Sequence, residues 1–542
     1  MTPPFHLRHF GFGCAAGLLL CCCGETREGH FQPPHDVPRV LVGTLQARVA
    51  AYADHDETSY RLVLDDGQEL ALDFGADEPH APIGQRVLVR GSRVGSRVAV
   101  GGYDIVSNEH DEEESRRGAT ERVKRTFRIA AIILDPMVPP ATFRSRIFGA
   151  FDSVATFFNE NSYGDWTFEG DVFGPYEIPI DDCMDMSKLA QAAKEAAAAD
   201  GLDASRYDKF LYRVPSNGSC TWRFLSDFGV NEVRGLISGA NTWYTFTDCL
   251  TLANGVGVSF GLRRAHQCTA PPYVTSGYGP AVACEGAFDN DPFSPMGGSC
   301  GHFSAPESGA MGFITGCNTL DVTSSGTFEI GPIEAKCAGP QVIRISANAT
   351  VNFGPQYIYV EYRLGGQAVR SDLTSTRGIY LHASAEYGGN RTNIPDASFS
   401  RYYALDSIYI REPIDTVGAA WTEPSSGATF KLVAMGPTAT VEVTLPGSTG
   451  ASPRCIDGTS PPSAPTCAPT LARFRDGGTL ADGSNGADTG SADAGGRLAE
   501  HDDAGDCSCK LTGANASKRA PIMLFGLAAL LVSERRRRRR RA

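Results

Sequence analysis

Histidine, the commonest metal-binding side chain, is scarce in the middle of this chain. The sequence has 542 residues and 11 His, of which His266, His302 and His382 lie between residue 111 and residue 500. A zinc site built there would need His266 together with carboxylates such as Glu285 or Asp289. Because a metal needs three converging ligands with oriented neighbours, each of these is more simply interpreted as a surface or hydrogen-bonded residue. The sequence contains no P-loop, Rossmann glycine pattern or G-x-S-x-G elbow.

Residues 251–266 can be aligned with the zinc motif H-E-x-x-H-x-x-G-x-x-H. In that motif two His lie one turn apart on a helix, and the Glu is the general base that activates the zinc-bound water. Gly261 falls on the motif Gly. The three ligand positions hold Asn254, Val258 and Arg264, and the base position holds Gly255. Since a guanidinium repels a divalent cation, the alignment predicts a helix that has lost its catalytic metal.

Three further segments resemble the gametolysin family of metallopeptidases, a family of the metzincin class. Within residues 157–176, the run Glu-Asn-Ser-Tyr-Gly at 160–164 is similar to the family segment in which a helix ends and a strand leads to the active-site cleft. Residues 288–298 resemble the Met-turn, which implies that Met296 lies under the metal site. Residues 301–305 resemble a segment whose His, here His302, does not bind zinc.

Two later stretches, 359–363 and 430–443, resemble the C-terminal β region of the same family. The resemblance therefore covers roughly residues 125–445 and fails mainly where the zinc should be. It implies a metzincin-like peptidase domain over residues 125–318.

Local patterns predict the elements that would position this site. In the peptidase-like domain we expect a buried strand over 127–134, helices over about 142–159 and 186–199, a strand over 207–214 and the degenerate helix over 251–262. Residues 319–446 consist of short strands separated by Gly, Pro and Asn, which predicts a β-sandwich.

The region before residue 125 has a different pattern. Residues 39–107 alternate apolar and polar side chains between turns, which predicts a small β-barrel, somewhat similar to an OB-fold, that is an accessory or pro-domain. An oligonucleotide-binding barrel needs exposed aromatic residues and a basic groove, and the aromatic residues Tyr60, Phe74 and Tyr103 are few, so an accessory or pro-domain is preferred. Residues 108–122 form a charged linker that could be processed.

Both ends of the chain have features of export. Residues 1–23 read as a signal peptide, with plain cleavage and a lipoprotein type (lipidated at Cys21 or Cys23) as alternatives. Residues 447–506 are rich in Gly, Ser, Ala, Asp and Pro and are predicted to be a disordered spacer. Residues 507–542 combine Cys-Ser-Cys, an apolar run and seven Arg, and resemble a MYXO-CTERM surface-sorting signal. The apolar run, 520–532, is shorter than the roughly 20 residues that span a bilayer, so we expect a removable tail.

The net charge and the cysteine content indicate in which compartment the protein folds and which partners it is unsuited to bind. The net charge of −13 argues against nucleic acid as a partner, because phosphate binding needs clustered basic residues. An even set of Cys in a chain with an export leader predicts disulfides, four of them in the core, whose pairing the sequence does not reveal. A membrane is expected to contact the chain only through lipidation or the sorting tail.

The sequence as a whole predicts an exported α+β protein at the cell surface or outer membrane. It would have a metzincin-like domain flanked by a small β-barrel and a β-sandwich. The first hypothesis is a pseudopeptidase without cofactor that binds an extracellular protein or matrix component through the old substrate cleft, where His266, Glu285 and His302 are the candidate residues. One alternative is an active zinc endopeptidase with non-standard ligands. The other is a structural or adhesive surface protein.

Overall fold

The computed structural model describes most of the chain between residues 39 and 468. The residues not described in that range are 53–55, 76–82, 85, 107–121, 123, 151–152, 181–182, 184–185, 217–219, 229–239, 264, 268–269, 275–282, 286–290, 352–353, 367, 371–372, 375, 386–407, 411–412, 449 and 451. The signal peptide, most of the spacer and the sorting tail lie outside the described residues. The described residues all belong to one compact unit that ends at Gly478.

The first half of the fold is mixed α and β, as the sequence predicted. It begins with β1 (Arg39–Ala51), β2 (Asp56–Val63), β3 (Glu69–Asp73), β4 (Arg86–Val94) and β5 (Arg97–Ile105). There follow β6 (Arg125–Ile133), α1 (Pro140–Phe148), α2 (Val154–Asn161), β7 (Trp166–Phe173), α3 (Ser187–Ala199), a 3-10 turn (Ala204–Arg206), β8 (Lys209–Arg213), β9 (Phe224–Phe228), β10 (Ala240–Tyr244) and α4 (Cys249–Ser259).

The second half is mostly sheet. Its elements are β11 (His266–Gln267), β12 (Ala270–Val274), β13 (Ala283–Glu285), α5 (Ala305–Ala310), a 3-10 turn (Gly316–Asn318), β14 (Thr319–Asp321), β15 (Gly326–Ile330), β16 (Cys337–Ala338), β17 (Val342–Val351) and β18 (Gly354–Arg363). The last strands are β19 (Ala368–Arg370), β20 (Leu373–Thr374), β21 (Gly378–Ala385), β22 (Ile408–Tyr409), β23 (Ala420–Thr422), β24 (Thr429–Met435), β25 (Ala439–Thr444), β26 (Arg454–Cys455) and β27 (Thr466–Cys467). No helix among the described residues is long and apolar enough to cross a membrane.

A ten-stranded sheet, in the order β2-β3-β5-β4-β1-β9-β10-β8-β6-β7, joins the N-terminal strands to the central region. Strands β7, β6, β8 and β10 are parallel, and β9 runs antiparallel to β10. The N-terminal strands are also hydrogen-bonded in a closed ring, because β1 pairs with both β2 and β4. The outer edge of β9 pairs with β1 from Ala47 to Ala51. The five described N-terminal strands are therefore part of the same sheet as the central strands.

The two faces of the central sheet carry different helices. Along β6, Phe127, Ile129 and Ala131 belong to the core that also contains α1, α2 and α4. The alternate residues Ala130 and Ile132 belong to a second core that contains α3. Because successive side chains of a strand point to opposite faces, α4 and α3 lie on opposite sides of this sheet.

The C-terminal strands form a seven-stranded sheet (β11-β22-β21-β18-β17-β14-β26) and a four-stranded sheet (β15-β25-β24-β23). One apolar core contains residues of both, for example Ile345 and Ile358 from the larger sheet and Phe430 and Val441 from the smaller one. The sheets therefore bury their apolar faces against a common core, which is the main source of stability for this region.

Four disulfides connect described residues: Cys183–Cys220, Cys249–Cys300, Cys317–Cys455 and Cys337–Cys467. The last two bonds lie in a segment that was predicted to be part of a disordered spacer over 447–506. Residues 452–468 instead contain β26 and β27, which pair with β14 and β16. The physical reason is the two Cys in that stretch, whose partners are more than a hundred residues earlier. Disulfides of this kind are typical of proteins that fold in an oxidising compartment.

Most predicted elements of the central region are present, with changes at their ends. The predicted helix over about 142–159 is two helices, α1 and α2, with Gly149 at the end of the first and Ser153 as N-cap of the second. The Ser153 hydroxyl accepts from Thr156 N and starts the new helix. The predicted helix over 251–262 begins two residues earlier, after the Asp248 N-cap, and ends at Ser259.

A buried group of ions fixes the N-terminal strands on the central sheet. The Asp227 carboxylate on β9 lies 2.9 Å from Arg48 Nε on β1 and 2.5 Å from Arg61 Nη2 on β2. It also accepts from the backbone N–H and side-chain amide of Asn241 on β10. Burial alone would raise the pKa of Asp227, but Arg48 and Arg61 hold it well below its usual range. Asp227 is thus a buried anion shared by three strands.

Replacing Asp227 by Ala leaves two guanidinium groups buried without their common carboxylate. We expect a loss of about 3–5 kcal/mol in the free energy of unfolding, measured by urea denaturation. The matched control is Asp65→Ala, which breaks the exposed pair with Arg86 in the same strand ring. We expect that control to leave the urea midpoint nearly unchanged. Equal effects of the two substitutions would contradict the role given to Asp227.

Candidate functional site

Helix α4, which carries the aligned zinc-motif positions, is packed as part of the core. The Asp248 carboxylate caps it, accepting from Thr251 N at 3.0 Å and from the Thr251 hydroxyl at 2.7 Å. Every residue from Thr251 to Ser259 is buried. The helix packs on β9 and β10 of the central sheet, within the larger apolar core.

The side chain at the first ligand position makes a hydrogen bond to the backbone. Asn254 is 5% exposed, and its side-chain amide donates to the Met296 carbonyl at 3.3 Å. The second position, Val258, is 2% exposed and belongs to the apolar core. Neither side chain offers the imidazole nitrogen, thiolate sulfur or carboxylate oxygen that zinc binds.

At the base position, the space that a side chain would need is filled by an aromatic ring. A Cβ on Gly255 would lie 2.7 Å from a ring carbon of Tyr244 and 2.9 Å from its hydroxyl. Tyr244 is fully buried, and its hydroxyl donates to the Leu252 carbonyl at 3.3 Å. A catalytic Glu therefore does not fit at residue 255 unless Tyr244 moves.

The predicted Met-turn lies directly against this helix. A Cβ on Gly257 would meet the Met296 sulfur at 2.5 Å, and Met296 is fully buried. The Met296 carbonyl also accepts from Ala265 N at 3.0 Å, which ties the turn to the chain that leaves the helix. Gly261, with a φ of +89°, makes that exit in a conformation that favours glycine.

The three cleft candidates do not form a described cluster. His266 lies on β11, which pairs with β22, and is half-buried. Glu285 lies on β13, and its side chain is outside the described residues, as is the whole of Arg264. His302 is buried, with Nε2 3.5 Å from the Glu160 carboxylate. Among the side chains that the structure describes, no group of three or more His, Cys, Asp or Glu is arranged to hold a metal ion.

Two segments that resemble gametolysin contact each other. Besides the Glu160–His302 pair, the Asn161 side chain accepts from Phe303 N at 2.8 Å. The rings of Phe157 and Phe303 meet edge to face, 5.3 Å apart. The end of α2 is thus fixed to the segment that leads into α5, and His302 has a structural place there.

Sequence reasoning missed Lys209, which holds the C-terminal end of α4. Its ammonium group donates to the Ser259 carbonyl at 3.0 Å and lies 4.2 Å from the centre of the Phe260 ring. Burial lowers the pKa of Lys209 to about 7. A cation at this end complements the negative end of the helix dipole and satisfies a terminal carbonyl. The available signal was a Lys at the start of a strand, Lys209–Arg213, whose three middle residues are Phe, Leu and Tyr.

A buried ionic cluster, which the sequence analysis did not predict, lies between the Met296 turn and the C-terminal sheet. Its members are Asp291, Glu307, Glu334, Glu361, Arg363 and His382. Glu361 accepts from Arg363 Nε at 2.6 Å, and the same oxygen lies 3.4 Å from His382 Nε2. The other ring nitrogen of His382 lies 3.7 Å from the Asp291 carboxylate. Arg363 further donates to the Phe293 carbonyl at 2.7 Å, so the cluster joins β18 and β21 to the turn.

The carboxyl groups of this cluster differ in their acidity. Burial would raise the pKa of Glu361, but Arg363 and His382 lower it to about 2. Burial raises the pKa of Glu307 to about 7, although the Ser294 hydroxyl and Ser304 N donate to it. Burial likewise raises the pKa of Glu334 to about 7. Four carboxyls face only two basic groups, so the cluster accumulates negative charge as the pH rises.

Comparisons with known proteins identify no family. No protein-family model matches the chain, and no curated protein matches it. A solved structure titled "Structure of a chaperone-substrate complex" is similar over 46% of this chain and 39% of that one, with 11% sequence identity and a TM-score of 0.19. This chain therefore spans well under half of that chain, and such a TM-score does not describe a common fold.

The fit of Tyr244 against Gly255 can be tested by Gly255→Ala. The added methyl group meets a rigid buried ring, and we expect a net loss of about 1–3 kcal/mol in unfolding free energy despite the better helix propensity of Ala. Gly257→Ala is the matched control, because the flexible Met296 side chain can move aside there. Urea denaturation should show the larger loss at residue 255, and the reverse order would contradict the packing described.

Stability should fall as the pH rises towards neutrality. Glu307 has a pKa of about 7 in the folded protein, against about 4.3 when unfolded, so its protonated form favours the fold and this contribution is lost between those pH values. The pKa values of Asp291 and His382, also raised, act in the same direction. We expect Glu307→Gln to remove on the order of 2 kcal/mol of the decrease in unfolding free energy between pH 5 and pH 8.

Urea midpoints measured across that pH range provide the check. The exposed Glu177→Gln is the control and should keep the pH profile of the natural protein. A Glu307→Gln profile identical to that of the natural protein would show that Glu307 is ionised in the same way in both states.

Proposed function

We propose that this chain is an exported relative of the gametolysin metallopeptidases that has lost the catalytic zinc site and acts by binding an extracellular protein or matrix component. In this proposal the central region is a metzincin-like domain. The closed ring of N-terminal strands is the small β-barrel, and the two C-terminal sheets are the β-sandwich.

The main support for a loss of catalysis is that the Tyr244 ring fills the place that a general base would occupy at Gly255. The neighbouring ligand positions support the same conclusion, since Asn254 is hydrogen-bonded to the Met296 carbonyl and Val258 belongs to the apolar core. The placement of Met296 against Gly257 supports the resemblance itself, because the family has a Met-turn under its metal site.

A structural or adhesive surface protein is the second candidate. The burial of α4 from Thr251 to Ser259 favours it, because a helix packed as core acts as scaffold. In that case the binding surface lies elsewhere on the chain.

The deciding experiment is elemental analysis of the purified full chain, with general protease assays with and without chelator. We expect no stoichiometric zinc, no cleavage and no change of the urea midpoint on adding chelator. Zinc near one per chain with chelator-sensitive cleavage would overturn the proposal, and the search for ligands would then begin around His266.

An assay of retention on immobilised protein distinguishes the binding hypothesis from the scaffold hypothesis. Saturable retention on a gelatin film, with none on a serum albumin film, supports binding to matrix protein. Equal retention on both films, or on neither, favours the second candidate.

A further inference from the structure

A cavity of about 540 Å³ opens where the N-terminal strands meet helix α3. Its walls come from β3, α3, the segment 202–204 and β10. Since α3 and α4 lie on opposite faces of the central sheet, this cavity is separate from the degenerate zinc helix. Its volume lies within the range of small-ligand pockets.

An exposed carboxylate and two buried guanidinium groups hold one wall of the cavity in place. The Glu69 carboxylate accepts from Arg61 Nη1 at 3.2 Å and from the Ser187 hydroxyl at 2.9 Å. Arg48 donates to the same Ser187 hydroxyl at 3.2 Å. Because Asp227 binds both Arg residues, the junction of β3 with α3 is fixed before any ligand enters.

The charges that remain for a ligand are mainly acidic. Arg48 and Arg61 balance Asp227 and Glu69, which leaves Glu195, Asp203 and Lys194 on the lining. The Lys194 ammonium lies 3.8 Å from the centre of the Phe210 ring. Among described residues, Glu195 accepts a hydrogen bond only through Oε1 and Asp203 only through Oδ1. Each carboxylate therefore has a second oxygen for a donor.

The rest of the lining combines two amide side chains, Gln191 and Asn241, with apolar residues. Ala190, Ala198, Leu202 and Ala204 line the cavity beside these two carboxylates. A matching ligand has an aliphatic stem that lies on the alanines and a cationic end that reaches the carboxylates, as in the long basic side chains of proteins.

We propose that this cavity binds a lysine or arginine side chain presented by a partner protein. The site goes beyond the proposed function, because it depends neither on α4 nor on the absence of zinc. Its acidic lining complements a basic partner, and the overall charge of −13 favours the approach of such a partner.

Calorimetric titration of the full chain with three peptides tests the proposal. The peptides are acetyl-Gly-Ser-X-Ser-Gly-amide, in which X is lysine, norleucine or glutamate. We expect the lysine peptide to bind at least tenfold more tightly than the norleucine peptide, and more weakly as salt is added. Equal binding of lysine and norleucine, or no binding of lysine at millimolar concentration, would overturn it.

The double variant Glu195→Gln with Asp203→Asn locates the binding. It should weaken binding of the lysine peptide about tenfold, while circular dichroism shows an unchanged fold. Glu177→Gln, an exposed carboxylate that does not line the cavity, is the matched control and should leave affinity unchanged. An unchanged affinity in the double variant would place the lysine site elsewhere and reject the cavity. Zinc or protease activity found separately would reject only the proposed function.

Discussion

The Asp227 carboxylate is the interaction on which much of this architecture depends. It binds one guanidinium from β1, a second from β2 and the side chain of Asn241 on β10. Removing water from a carboxylate is costly unless opposite charges and hydrogen bonds replace it, and here three strands supply them. Because these strands come from two parts of the sequence, the same anion fixes the register of β1 on β9 and the wall of the acidic cavity. A pro-domain that is released after folding would have to break this contact.

The central sheet separates two environments of different chemistry. On one face, α4 and its neighbours form an aromatic and aliphatic core in which Phe260 contacts Phe127 and Trp166. On the other face, α3 leaves an open, partly charged cavity. The face that resembles a catalytic site is thus filled, and the face without resemblance keeps space for a ligand. Any binding role is better sought from the charges and space around the described residues than from the positions that align with a zinc motif.

Local patterns in the sequence predicted the α+β class and most helices and strands of the central region. Alternation along residues 39–107 predicted strands, but strand order depends on long-range contacts, so the pairing of β1 with β9 was not predictable. The Cys residues predicted disulfides without partners, and the order at Cys455 and Cys467 was therefore missed. At the zinc-motif positions, residue types alone predicted lost ligands, whereas the Tyr244 ring against Gly255 required coordinates. The resemblance to gametolysin remains a prediction.

The buried ionic cluster around His382 had no local signal either. Its members are spread between residues 291 and 382, and each is an ordinary charged residue in its own segment. Only the packing of β18 and β21 against the Met296 turn makes them neighbours, and that packing gives them altered acidity. Sequence patterns describe a residue's segment, whereas the pKa depends on what the fold places around it.

The disulfides at Cys455 and Cys467 determine how the molecule carries mechanical load. A pull on the chain beyond residue 468 reaches Cys467 first and passes through its covalent bond to Cys337. The bond between Cys455 and Cys317 provides a second covalent path for the force, which enters the chain just before β14. Tension therefore bypasses the hairpins between residues 338 and 454, which are shielded from unzipping. Reduction of the two bonds would place those strands directly in the line of force.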